Sequence, residues 1–465
     1  MIVMSGAMAF FGLIGLLYAL IPESKLQDQD VWLLDYNELA FFLGFLPPVV
    51  YHAGAWGLKD HIVANYKSIL VRSLVSKFIS FATVSLGAAL FLPKLGIDSL
   101  TTTDYLAIGA IFVPNNLIFA IPVVVAPKGD NYDQSGPMLA DGVISVALSI
   151  TLLKTIKGLD LSSHTILPRI ILFALSKIGL VFVASSLLGI FIGWLASFHG
   201  LLAKNMNITP ELVEDSNGNL VMGHEGATFI LILLSVPTFL LAEFLSLSGT
   251  LSVFFYAITT THYLWPTVTE ESIIWKSDLH LTSGSIKIFL ASWIGFAATR
   301  MIQWSYVASE PKTFTGVVVL LLTACLLGRV VSEYHLTRWG IGKSEPFEQT
   351  GNALFFNRWR LGNIVLESQV SIWVSSIMPS VVTYPLAYNQ FGSSEDSHRC
   401  LIFNCILVLY LFILLVFSVV AYSKWASSVC SALSIVGHFN LHSTTTKEEQ
   451  GHEYVQIPAG MEQIV

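Results

Sequence analysis

Apolar runs of about 20 residues recur along almost the whole chain, the length that crosses a hydrocarbon core as helix. No other feature restricts the fold as much. In lipid every backbone amide needs an internal partner, which leaves helices or closed barrels. Barrel strands would show alternating segments of about 10 residues instead of continuous apolar runs. Charge is correspondingly scarce. Of 465 residues, 54% are hydrophobic and 12% charged, against about 25% charged in soluble domains, so lipid must be the solvent for much of the surface. The predicted class is all-α integral membrane, with about 12 transmembrane helices.

Hydropathy places spans 1 to 5 at about 2–20, 39–57, 68–92, 104–126 and 137–154. Span 6 is long, about 168–200; spans 7 and 8 cover about 226–245 and 248–265. Spans 9 to 12 fall at about 284–303, 314–336, 364–388 and 401–422. The organisation expected is a transmembrane domain over 1–422 and a short cytoplasmic tail over 423–465. Within the domain, repeat one (about 1–154) and an inverted repeat two (about 226–422) flank a linker helix at about 168–200. Lys59, Lys67 and Arg72, with Arg338, Lys343, Arg358 and Arg360, cluster on the side of both termini, which the positive-inside rule assigns to the cytoplasm. Lys154, Lys157 and Arg169 lie on the other side and dissent.

Two spans are interrupted at matching places. Span 4 carries Val113-Pro114-Asn115-Asn116 and then Pro122; span 11 carries Met378-Pro379-Ser380 and then Pro385. Proline removes an amide donor and frees a carbonyl, and discontinuous helices of this kind build ion sites at the bilayer midplane of secondary transporters. Asp141, early in span 5, is an ionisable group inside the membrane and so a functional candidate. The alternative is an interfacial aspartate favoured by the helix dipole.

Other chemistries find no support. Net charge is −7 with no basic arm, so nucleic acid is not an expected partner. Cys325, Cys400, Cys405 and Cys430 show no metal spacing and read as small buried hydrophobes. There is no phosphate loop, catalytic triad or metal cluster, so no enzyme activity and no cofactor is expected.

Five segments carry a resemblance. FFLGFLPPVVYHAG (Phe41 to Gly54) looks like the double-proline "LPPI…AGY" segment of the sodium/hydrogen exchanger family of cation/proton antiporters. Met138-Leu139-Ala140-Asp141 resembles its "ESLLND" run. Leu241-Ala242-Glu243 with Leu247-Ser248-Gly249 resembles "LAE…LSG", Glu270-Glu271-Ser272 resembles "SEES", and CLLGRV (Cys325 to Val330) resembles its arginine helix. All five occur in family order. On this mapping the family's first helix and its long regulatory tail have no counterpart here.

The resemblance implies exchange of Na+ or K+ for H+ by alternating access, with the transported ion held by Asp141, and a homodimer in the bilayer. It carries over Arg329 and Glu243 as supporting residues; the broken span itself puts Pro114, Asn115 and Asn116 at the ion site, and Lys287, where the family has no lysine, is a further candidate for its support. Asn115 and Asn116 either offer amide oxygens to a cation or cap the broken helix. Lys287 either pairs with Asp141 or snorkels from its helix start. Glu243 is either functional or a structural partner between helices. Several family positions have changed: an acid becomes Val113, a glutamate Gly136, an asparagine Ala140, a glutamate Ile286, and an arginine is lost near Met378. Those losses keep a second expectation open, a non-transporting homologue that serves as a membrane scaffold or regulatory subunit.

Overall fold

The computed structural model describes residues 37–38, 40–56, 60–115, 135–158, 167–205, 212–214, 220–222, 224–264, 289–290, 292–297, 299, 301–303, 310–338, 380, 382–392 and 396–422. Span 1, Asn116, Lys287, Cys430, the Glu270 loop, Met378-Pro379 and the tail lie outside these residues.

The long helices fall where hydropathy puts them. A π-helical turn, Ala40–Phe45, leads into α1, Leu46–Trp56. The wide turn sits directly before Pro47 and Pro48, which lack amide donors and are tolerated at the start of the α-helix. The next elements are α2 (Asp60–Phe91), α3 (Thr102–Ile111), α4 (Ser135–Lys157) and α5 (Leu167–Asn205). A two-stranded antiparallel hairpin, β1 (Leu212–Glu214) with β2 (Leu220–Met222), precedes α6 (His224–Phe244) and α7 (Gly249–Leu264). Residues 292–297 are helical. They precede α8 (Pro311–Arg338), the short α9 (Thr383–Ala387) with a following π-turn (Tyr388–Gly392), and α10 (Ser397–Tyr422). Among the described residues, three helices are long and apolar enough to cross a membrane, over Ser73–Leu95, Ala174–Phe198 and Pro311–Ser332.

Polarity is distributed in the opposite sense to that of a soluble bundle. Along α5 the large side chains Leu180, Val183, Leu187, Phe191 and Phe198 are exposed, while Ser185 and Ser197 are buried. Ser235, Ser252 and Thr260 are likewise buried, as are Lys77 and Arg329. Large apolar side chains on the outside of a long helix, with serines, threonines and two charges among the apolar residues of the core, fit a body solvated by lipid.

Lipid tails provide no hydrophobic drive between helices, so association depends on close packing of small residues and on hydrogen bonds between helices. The seam between α5 and α7 is built this way. A Cβ on Gly189 would lie 2.2 Å from the Ser252 carbonyl oxygen, and one on Gly193 2.7 Å from the Thr259 Cβ. At this seam the Ser185 Oγ accepts from the Ser248 amide at 2.9 Å, and the Ser252 Oγ donates to the Ser185 carbonyl at 3.0 Å. Gly189→Ala therefore pushes two backbones apart. Thermal unfolding in detergent should show a loss of about 1–3 kcal/mol, the usual cost of overpacking; an unchanged midpoint would mean the seam is looser than the geometry states.

The remaining contacts place the site. α2 packs against α8, α3 and α4, while α1 lies against α6 and α7, and α10 against α8. The short α9, which contains Pro385, packs on α3, the helix that ends three residues before Pro114.

Candidate functional site

The site begins where α3 stops. That helix opens with a capping box: the Thr101 side chain accepts from the Asp104 amide, and Asp104 accepts from the Thr101 amide at 3.0 Å. Arg399 of α10 adds an ion pair to Asp104 at 2.9 Å. Ten residues later α3 ends at Ile111. The Phe112 and Val113 amides turn back to the Gly109 and Ala110 carbonyls, tightening the last turn. Pro114 follows, and a residue before proline is disfavoured in helical conformation. The break lies in the buried interior, where Ile111 to Asn115 are all buried.

A helix end buried in protein needs partners for its orphan groups. Arg329 of α8, 1% exposed, supplies most of them. Its Nη2 donates to the Phe112 carbonyl at 2.8 Å and to the Val113 carbonyl at 3.1 Å. Its Nη1 donates to the Asn115 Oδ1. From α4, the Ser149 Oγ donates to the Ala110 carbonyl at 2.6 Å, and the Ser145 Oγ accepts from the Asn115 amide at 2.9 Å. The Ala110 carbonyl, which an amide at position 114 would have reached, is thus held by Ser149, and the Phe112 and Val113 carbonyls past the helix end by a guanidinium.

The Asn115 side chain bridges two charges. With its oxygen on Arg329, its Nδ2 donates to the Asp141 Oδ2 at 2.5 Å. A carboxylate accepts and a guanidinium donates, so these neighbours define which way the amide faces. Its oxygen is committed to Arg329 in this arrangement.

Asp141, seventh residue of α4, also accepts from the Lys77 Nζ of α2 at 3.0 Å. The two ends of that pair differ in access: the Lys77 side chain is 0% exposed and that of Asp141 27%. A partly exposed carboxylate, backed by a buried ammonium, is a place where a small cation can approach an oxygen ligand. Hard monovalent and divalent cations favour such oxygens.

The structure brings Asp141, Asn115, Pro114 and Arg329 together, and adds Lys77, Ser145 and Ser149. Lys77 was open to discovery by the rule that selected Asp141, since it too is an ionisable residue inside an apolar run. The lysine that meets Asp141 among the described residues is Lys77. Glu243 sits elsewhere, at the end of α6. It pairs with Lys154 of α4 and accepts from the Gly249 amide at 3.2 Å, bracing the turn into α7. Lys154 is half exposed, so the ion pair is a weak contributor to stability. His52 is buried at 2% in α1 and His262 is exposed at the end of α7. No group of three or more His, Cys, Asp or Glu forms a metal cluster among the described residues.

No protein-family model matches the chain. Over 397 residues it is 30% identical to sodium/hydrogen exchanger 3 of Arabidopsis thaliana, covering 84% of this chain and 71% of that one. Over 417 residues it is 28% identical to sodium/hydrogen exchanger 1 of Oryza sativa subsp. japonica, covering 88% and 71%. Its fold resembles that of the sodium proton antiporter MjNhaP1 from Methanocaldococcus jannaschii, with a TM-score of 0.53 at 17% identity over 92% of this chain and 97% of the other.

Proposed function

This chain belongs to the sodium/hydrogen exchanger family, and we propose on that premise that it exchanges a monovalent cation, Na+ or K+, for H+ across a membrane by alternating access. Asp141 is the group that holds the cation in this reading. One observation carries it: a partly exposed carboxylate lies beside the broken end of α3, inside a ring of buried polar groups. Antiport needs a site that accepts the cation or the proton but not both, and a single carboxylate with its partners provides one. Such exchange regulates pH and cation balance in the compartment concerned.

The architecture that goes with this reading has about 12 spans in two inverted repeats, joined by the long α5 as linker. Two discontinuous helices, the one ending at Ile111 and the one containing α9, cross near the midplane. The termini are cytoplasmic and the protein is a homodimer. The contact between α3 and α9 supports this picture.

A second reading has a specific observation in its favour. The Lys77 ammonium already sits on the Asp141 carboxylate, as it would in a homologue that has given up transport and serves as a scaffold. Expression in cells without endogenous exchangers separates the two. After an acid load, cytosolic pH should recover on addition of sodium or potassium. No recovery from well-expressed, correctly targeted protein would establish the scaffold reading instead.

A further inference from the structure

We propose that Lys154 with Glu243, and Asn389 with Glu38, form a latch across the rim opposite the termini, and that this latch opens in every exchange cycle. The inference rests on the reading of the chain as an exchanger that works by alternating access. Such access is largely the rocking of one body of helices against another. The contacts sort the described helices into two bodies. In the first, α2 packs on α3, α4 and α8, α9 joins through α3, and α10 through α8 and α9. The second is α1 with α6 and α7, and α5 along α7. The principal contacts between the bodies are made by α4, which lies against α1, α5 and α7. Asp141 stands on that boundary helix.

The bonds that hold Asn115, Ser149 and Arg329 join helices of the first body. Those of Ser185 join helices of the second. Bonds that pass from one body to the other gather at one end. The Lys154 ammonium, in the last turn of α4, pairs with the Glu243 carboxylate in the last turn of α6. The Asn389 Nδ2, just after α9, donates to the Glu38 Oε1, just before α1, at 2.6 Å. The helical stretch 292–297 lays Trp293 against Phe41 and Phe45 before α1, and beyond it the Gln303 amide donates to the Asn404 Oδ1 of α10 at 2.9 Å. With each span crossing in turn, spans 5, 7, 9 and 11 end, and spans 2 and 12 begin, on the side away from the termini.

Charge is complementary across this rim. The first body presents Lys154 and Lys157, and the Lys157 Nζ donates to the Asn389 carbonyl at 3.4 Å. The second presents Glu243 and Glu38. Lys154 and Lys157 dissent from the positive-inside pattern, and a role in the latch accounts for their place. Glu243 is anchored on its own body. Its Oε1 accepts from the Gly249 amide at 3.2 Å, and a Cβ on Gly249 would lie 2.6 Å from the Phe239 ring. Within the turn, Ser246 adopts a φ of 59°. A movement of α4 beyond the reach of a lysine side chain therefore breaks the pair. Lys154 is 13 residues beyond Asp141, about 20 Å along the helix at 1.5 Å per residue. The latch thus closes one end of the boundary while the cation site lies toward the other. A half-exposed pair shifts an equilibrium by up to about fivefold, enough to bias two states without locking either.

The test uses the full chain in liposomes with a trapped pH dye and a thiol-cleavable bis-methanethiosulfonate. Lys154→Cys with Glu243→Cys, and separately Glu38→Cys with Asn389→Cys, put one thiol on each body. Lys157→Cys with Asn389→Cys puts both thiols on the first body. Mass spectrometry of the digested protein reports whether the link has formed. Linking either pair across the bodies should lower sodium- or potassium-driven proton exchange by about tenfold or more, and cleavage of the link should restore it. Linking the pair within one body, or treating the wild type with the reagent, should change the rate by less than about twofold. Undiminished exchange in a linked cross-body variant would overturn the proposal and leave the exchanger reading intact. Equal inhibition by the link within one body, or cross-body thiols that do not link, would do the same. No exchange by the untreated wild type would overturn the reading on which the latch rests, and the latch with it.

Discussion

Asp141→Asn should abolish cation-dependent pH recovery and also destabilise the protein. The two effects have one cause. Asparagine offers a neutral oxygen where a carboxylate met the buried Lys77 ammonium, so neither a transported cation nor the lysine finds its countercharge. Removing one member of a buried ion pair costs about 3–5 kcal/mol, because the other is left as an uncompensated charge. The thermal midpoint of the purified variant should drop accordingly. Lys77→Met combined with Asp141→Asn removes both charges and should regain much of the stability, since a buried pair replaced by uncharged groups of similar size is often close to neutral. It should regain none of the exchange. Recovery of pH that survives Asp141→Asn would show that the cation is held elsewhere. A single variant as stable as the wild type would show that the pair contributes little.

Arg329→Met should be the other severe substitution. Arg329 donates to the Phe112 carbonyl, the Val113 carbonyl and the Asn115 side chain, and all three residues are buried. Each buried acceptor left without a donor costs about 1–3 kcal/mol, so the summed loss is about 3–9 kcal/mol before relaxation. Met is chosen because it nearly conserves volume and isolates the lost hydrogen bonds from a cavity effect. Arg329→Lys should recover only part of the loss: an ammonium is a point charge without the planar fork that reaches two carbonyls and an amide at once. Size-exclusion profiles and thermal unfolding of both variants provide the readout. Arg329→Met with a wild-type profile would mean that water, not the guanidinium, satisfies the end of α3.

The comparison between sequence and structure separates what hydropathy encodes from what it does not. Span 3, expected at about 68–92, is α2 at Asp60–Phe91. Span 10, expected at about 314–336, is α8 at Pro311–Arg338. Apolar run length determines such helices almost unaided. Span 4 was expected to be interrupted at Pro114, and α3 ends at Ile111, three residues before it. Asp141 was legible because a motif surrounds it. Lys77 offered only the weaker signal of a charge inside an apolar run. Its partner is 64 residues away, and hydropathy carries no information about how a helix is rotated, so nothing local distinguishes a lysine facing a carboxylate from one reaching for the interface. The same holds for Asn115. Its amide was open to a cation or a cap, and only the approach of Arg329 from 214 residues away turns the oxygen to the guanidinium.

The Lys77–Asp141 pair also bears on how the protein is made. During synthesis α2 reaches the membrane 64 residues ahead of the carboxylate on α4. A lysine inside an inserting helix carries a cost that reaches about 2.5–3.5 kcal/mol at a helix centre on insertion scales, and Lys77, fifth residue of the apolar span Ser73–Leu95, places part of that cost on α2 before its countercharge is made. The arrival of α4 then removes that burden by supplying the countercharge. The pair thus links the insertion of two helices in time, and the yield of folded protein reports on it as directly as the movement of ions does.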